Sequence, residues 1–170
     1  MAVSWRAAVK ADRVMLERFT CASRGAPDFE QLVQRYFRVQ AIARMGSPAA
    51  RQADHRLLLL MDDTTVLAAG CHQRSNEPHR RNFVFAAVAT QWQGQRLPDG
   101  RRTSDALWEV VANDMLERDG ADELVVVAKV HQDNLRSLNY CARIGLTSRS
   151  TDGIGLVICT GILRPGPASG

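Results

Sequence analysis

Two stretches of the chain carry residue types that could do chemistry. The first, QWQGQRLPDGRRTSDALW from Gln91 to Trp108, places Gly94 and Gly100, Arg96, Arg101 and Arg102, and the triplet Thr103-Ser104-Asp105 between an apolar run and an amphipathic segment. The first turn of a helix leaves backbone N–H groups without intrahelical partners, and the macrodipole makes that end partly positive. Gly100 permits close approach, Thr103 and Ser104 offer hydroxyls, and Arg101 and Arg102 add charge, so the stretch suits a pyrophosphate. A basic surface loop with a good N-cap is the plainer alternative. Neither the GK[ST] of a P-loop nor the GxGxxG of a dinucleotide fold is present.

The second stretch is VHQDNLRSLNYCARIGL, from Val130 to Leu146. Asn134 lies at a strand-to-helix junction, and Ser137 and Tyr140 follow at spacings of three, on roughly one side of the helix near its start. That stripe faces either solvent or a cleft at the strand ends. Tyr140 could instead be core packing, although Leu138, Cys141 and Ile144 already supply apolar positions there.

These residues need a frame. Asp12 can cap a short helix carrying Val14, Met15, Leu16 and Phe19. Pro27 and Asp28 open a longer one that stops near Gly46 and Pro48. HRLLLLM and VLAAGCH flank a turn at residues 62–65 and read as an antiparallel hairpin. FVFAAVAT is a third strand. Thr103 to Arg118 is helical, closed by Gly120, and DELVVVAKV is a strand buried on both faces. A helix ending at Ile144-Gly145 follows, and LTSRST and GLVICTGIL form a last hairpin joined through Asp152-Gly153. The strand–helix–strand unit from Phe83 to Val130 requires a right-handed crossover and a parallel pair, while the hairpins make the rest antiparallel. The expectation is an α/β (α+β) fold with a single mixed, mostly antiparallel sheet and flanking helices. One domain over residues 1–163 and a disordered tail over residues 164–170 are expected.

Composition narrows the function. The chain has 170 residues and a formal net charge of +4, and only Lys10 and Lys129 among the 22 basic residues are lysines. Arginine's rigid fork favours phosphate, so a phosphorylated ligand or nucleic acid fits the balance. Cys21, Cys71, Cys141 and Cys159 are widely spaced, and His55, His72, His79 and His131 show no metal-binding period, so neither a disulfide framework nor a metal is expected. With no membrane-length apolar run and no secretory leader pattern, a cytoplasmic protein without membrane contact is expected.

The pattern Asn134-x-x-Ser137-x-x-Tyr140, followed by Gly145 and Leu146, resembles the signature of the GNAT superfamily of acyl-CoA-dependent N-acetyltransferases. The order of elements resembles that family too, over roughly Val3 to Leu163. The resemblance implies a splayed parallel pair of strands with the donor's pantetheine arm in the slot. Ala87 and Val88 would meet that arm with their backbone, and Gly100, Arg101, Arg102, Thr103 and Ser104 would hold the pyrophosphate. Asn134 and Ser137 would lie along the arm. Tyr140 would protonate the departing thiolate, and an amide at Val88 would stabilise the oxyanion. Two registers compete in the loop. One starts at Gln93 and puts Arg96 and Pro98 where the family has small residues. The preferred one enters at Asp99-Gly100 and treats QGQRLP as an insertion.

The implied function is acetyl transfer from acetyl-CoA to a primary amine by direct attack in a ternary complex, without a metal. The acceptor is a small molecule or a peptide, and a homodimer through the last hairpin is open. His131 is the candidate general base, its ordinary pKa of about 6.5 suiting proton transfer near neutrality, and Glu77 is a weaker one. The alternative is a catalytically silent module of the same fold. It would bind nucleic acid or a protein through one basic rim of Arg74, His79, Arg80, Arg81, Arg96, Arg101 and Arg102. Nucleic acid is the less favoured of these partners, since only Trp92 accompanies the arginines.

Overall fold

The apolar run after His55 forms β2 (Arg56–Asp62), and the chain returns as β3 (Thr65–Arg74). Both are buried along nearly their whole length, as continuous apolar strands must be. A computed structural model, which describes residues 2–63 and 65–166, adds β1 (Val3–Ala7), β4 (Arg80–Val88), β5 (Leu124–His131), β6 (Thr147–Thr151) and β7 (Leu156–Leu163). The strands form one sheet in the order β1-β2-β3-β4-β5-β7-β6. Every neighbouring pair is antiparallel except β4–β5. The mixed, mostly antiparallel sheet with flanking helices is the one the sequence pattern implies.

Helices cover both faces. On one lie α1 (Arg13–Glu17), α2 (Asp28–Arg35) and α3 (Ala41–Met45), the last two joined by a π-helical turn over Tyr36–Gln40. Leu16, Phe19, Tyr36 and Phe37 pack there on Leu57, Leu59, Cys71 and Phe85. On the other face α5 (Thr103–Asp119) and α6 (Leu135–Arg143) bury Leu107, Val111, Met115 and Cys141 against Leu58, Phe83, Val126 and Cys159. At Gly161 a Cβ would strike the Gly145 carbonyl, so the absence of a side chain lets the end of α6 reach β7.

Several features differ from the sequence pattern. β1 was not anticipated, because an edge strand paired on one side and mostly exposed carries little alternation. Gly46 and Pro48 mark a restart as well as a stop. Ser47 accepts from the Ala50 amide at 3.1 Å and, with Pro48 at the first position, opens α4 (Pro48–Gln52). Asp12 turns its carboxylate back to the Val9 amide and Arg6 rather than forward into α1. Thr64 in the first hairpin turn and residues 167–170 of the expected tail lie outside the described residues.

β4 also begins earlier than its apolar run, at Arg80, because the charge of Arg81 is neutralised inside the protein. Arg81 is fully buried. It donates to both Asp119 oxygens at 3.0 Å, to Asp54 at 2.6 Å and to His72 Nδ1 at 3.0 Å. An arginine can only donate, so His72 accepts at Nδ1 and presents its proton from Nε2 to Asp114 at 2.8 Å. Arg56 donates to the same carboxylate at 2.8 and 3.1 Å, and Arg118 completes the pairing of Asp54. Burial lowers the His72 and His55 pKa values. For Asp54, burial acts upward, but hydrogen bonds from Arg118 and Arg81 outweigh it and hold the carboxyl at about 2. Asp114 is held well below the usual carboxylate range in the same way, by His72 and Arg56.

The signs combine. Histidines in the unfolded chain take up protons below about pH 6.5 while buried His72 and His55 resist, so stability falls as pH drops through that range. The stability contributed by Asp54 and Asp114 is present above about pH 4 and is lost as pH falls toward their folded pKa values. Guanidinium midpoints are expected to be lower at about pH 5 than at about pH 7.5. Asp114→Ala, which strands Arg56 and His72, is expected to cost about 3–5 kcal/mol by the same measurement.

Candidate functional site

The parallel pair is short. β4 and β5 are in register from Arg80↔Val125 to Phe83↔Ala128 and no further. β4 then runs on to Val88 paired only with β3, and β5 to His131 paired only with β7. The break coincides with a bulge, for Cys71 pairs with Phe85 and His72 with Phe83, leaving Val84 unmatched. Val84 and Phe85 consequently pack on the same face, toward α2 and Tyr36. A bulge bends its strand and increases the local twist, and here it turns β4 away from β5 into a wedge.

The wedge is lined by backbone. The Ala89 amide donates to the Leu67 carbonyl at 2.8 Å. Alternation along the antiparallel ladder therefore commits Ala87 to β3 and turns the N–H and C=O of Ala86 and Val88 into the wedge. Of the two residues named from sequence, Val88 faces the wedge and Ala87 faces the ladder. The neighbouring Ala86 faces the wedge with Val88. Only the bulge fixes this phase, and a bulge has no signature in the apolar run FVFAAVAT.

α6 starts shortly after the C-terminal end of β5, and the first turn of α5, which follows β4 through a longer connection, is held against α6 by the bond from Tyr140 to the Ser104 carbonyl. The connection into α5 folds on itself. Thr103 donates to the Gln95 carbonyl through its amide and its hydroxyl, both at 3.3 Å, and Arg96 bridges Arg102. Leu97 is buried at the base of this excursion, and its amide donates to the Arg101 carbonyl at 2.8 Å. Residues 96–102 thus form an excursion closed at its base by Gln95 and Thr103. Gly100 sits at the tip of the excursion with φ of 85°. Arg101 is engaged by Asp99 at 2.6 Å and by Glu109. The structure therefore sets Gly100 and Arg101 apart from Thr103 and Ser104. α5 has no side-chain N-cap, and the amides of Gly94, Arg96 and Ser104 have no partner among the described residues.

Asn134 caps α6, its Oδ1 accepting from the Ser137 amide at 3.0 Å, which leaves its Nδ2 to donate. Tyr140 is engaged elsewhere. Its hydroxyl donates to the Ser104 carbonyl at 2.8 Å, and burial raises its pKa. Arg143 lies over the Tyr140 ring and donates to Ser104 Oγ at 3.0 Å and to Asp105 at 2.7 Å. Together they moor the first turn of α5 to α6.

His131 ends β5, stacks on Phe29 of α2 with ring centroids 4.9 Å apart, and accepts from the Asp133 amide at Nδ1. In that tautomer the ring proton is on Nε2. Glu77 pairs with Arg80 in the β3–β4 connection, at the opposite end of β4 from the wedge. The basic rim dissolves for the same reason. Arg74, His79, Arg80 and Arg81 belong to that far end, Arg81 is buried, and Arg101 is neutralised. All four cysteines are buried, and burial raises the thiols of Cys21 to about 11 and of Cys71 and Cys141 to about 12.

No protein-family profile matches the sequence, and no curated protein matches it. Solved structures do resemble the fold. PaiA N-acetyltransferase from Thermoplasma acidophilum, in complex with coenzyme A, superposes with a TM-score of 0.70 at 12% identity, over 95% of this chain and 99% of that one. The GNAT domain of PAT from S. lividans gives 0.68 at 16% identity, over 95% and 90%. A ribosomal-protein alanine N-acetyltransferase from Escherichia coli gives 0.62 at 12% identity, over 99% and 98%. The chain thus shares the fold of these acetyltransferases.

Tyr140→Phe removes the bond to Ser104. If that bond moors α5, the variant is expected to lose about 1 kcal/mol of stability, read as a lower guanidinium midpoint.

Proposed function

We propose that this protein transfers an acetyl group from acetyl-CoA to a primary amine, by direct attack within a ternary complex. The observation that carries the reading is the wedge, where two backbone segments at Ala86 and Val88 face a gap instead of a strand. Their alternating donors and acceptors match the amides of a pantetheine arm. The unpartnered amides of Gly94, Arg96 and Ser104, beside two helix N-termini, fit a diphosphate. The donor supplies an activated thioester. The protein's own part is to orient it and to stabilise charge.

In this reading Val88 directs its N–H at the carbonyl oxygen that becomes an oxyanion, and Asn134 offers Nδ2 to the arm. The amine approaches from the side of Phe29 and His131. His131 receives a proton only by exchanging tautomers or through a water, since Nδ1 is held by the Asp133 amide. Direct attack is favoured over an acyl-enzyme because every cysteine is buried and the raised thiols of Cys21, Cys71 and Cys141 supply little thiolate. Tyr140 reaches a leaving thiolate only by releasing Ser104, so solvent at the open end is the preferred proton source.

Calorimetric titration with coenzyme A, followed by an amine panel read by free-thiol release from acetyl-CoA, tests the proposal. Saturable heat and amine-dependent thiol release are expected. No heat with coenzyme A ends the reading, and stable acetylation of Cys141 ends the direct-attack part of it.

A further inference from the structure

Gln93, five residues beyond Val88, folds its side chain back over the end of β4. Its Nε2 donates to the Val88 carbonyl at 3.1 Å and to the Cys21 carbonyl at 2.7 Å, and its Oε1 accepts from Arg136 Nη1 at 2.9 Å. Arg136 stands in the first turn of α6, the helix that follows β5. The side chain thus spans the open end of the wedge, from one splayed strand to the helix fed by the other. It also reaches the connection between α1 and α2. That connection is held separately by Gln34, whose Oε1 accepts from the Cys21 and Ala22 amides at 3.1 Å.

A primary carboxamide and the secondary amide of a pantetheine arm offer the same N–H donor and C=O acceptor. We propose that Gln93 is a built-in competitor for the donor: its carboxamide holds the Val88 carbonyl and must leave it when the donor's amide binds there. Arg136 is the positioning residue that keeps the carboxamide in place. The inference rests on the donor-slot reading above and goes beyond it, because it assigns to Gln93 an effect opposite in sign to that of a contact residue. A residue that grips the donor weakens binding when removed. A competitor strengthens it.

The test compares wild type, Gln93→Ala and Arg136→Ala in calorimetric and stopped-flow titrations with coenzyme A and with pantetheine. Pantetheine carries no phosphate, so losing the Arg136 charge does not confound its binding. Gln93→Ala is expected to bind both probes about fivefold more tightly, the scale of one net hydrogen bond, mainly through faster association. Arg136→Ala should bind pantetheine more tightly in the same direction. Weaker binding of pantetheine by either variant, or affinities equal to wild type, overturns the inference while leaving the donor slot standing. A wild-type protein that binds neither probe removes the slot and this inference with it.

Discussion

The structure turns on a ladder that stops early. A parallel pair satisfies backbone donors and acceptors as it forms, and a strand that leaves its partner must find others, since a buried unpaired peptide group costs about as much as a lost hydrogen bond. β4 leaves β5 after Phe83 because Val84 adds a residue that β3 does not match. From there to Val88 one edge of β4 belongs to whatever enters the wedge. The chain meets part of that demand itself, with Gln93 on the Val88 carbonyl. A flexible side-chain amide satisfies a peptide carbonyl without closing the gap permanently, which a strand in the same place would do.

A wedge holds its shape only if its closed end is rigid, and the buried ion network lies at that end. Arg81 stands one residue into the paired segment, in register with Val126, and reaches β3 through His72 and the C-terminal half of α5 through Asp119. His72 and Arg56 extend the network to Asp114 on the same helix. One end of α5 is therefore fixed to the zipped strands, and the other presents its first turn at the opening, where Tyr140 and Arg143 moor it to α6. Buried ion pairs are poor sources of net stability, but breaking one is costly. A network of this kind suits a part that must not slip more than one that must be maximally stable.

The frame was legible where the physics is local. The hairpin at Arg56–Arg74, the α5 pattern closed by Gly120 and the place of β5 follow from periodicity and punctuation, and of Asp133 and Asn134 it is Asn134 that caps α6. β5 departs from the expected burial on both faces: Leu124, Val126, Ala128 and Val130 are buried, but Val125 and Lys129 on the opposite face are exposed. What escaped is set by long-range contact. Arg81 reads as a surface charge until Asp54 and Asp119, which are distant in sequence, surround it. The ladder phase that exchanges Ala86 for Ala87 depends on one unmatched residue. Tyr140 lies on the expected side of its helix, but its partner is a carbonyl 36 residues earlier, and nothing in the spacing of Asn134, Ser137 and Tyr140 encodes that. In the loop, the composition of QGQRLPDGRR was visible, whereas the closure of Gln95 on Thr103 that expels residues 96–102 was not.

The distribution of arginines bears on what a ligand of this basic chain would meet. Arg56, Arg81, Arg101, Arg118 and Arg143 are matched by acids of this chain, so the charge surplus overstates what a ligand meets. Around the open end Arg96 bonds the neutral Gly100 carbonyl, Arg136 bonds Gln93, and Arg102 has no acidic partner among the described residues. These three flank the amides of Gly94, Arg96 and Ser104 and the starts of α5 and α6. Nucleic acid draws affinity from phosphates contacted in series along a face. Here the charge and the backbone amides are gathered at the mouth of a single gap, the arrangement on which the proposed donor site rests.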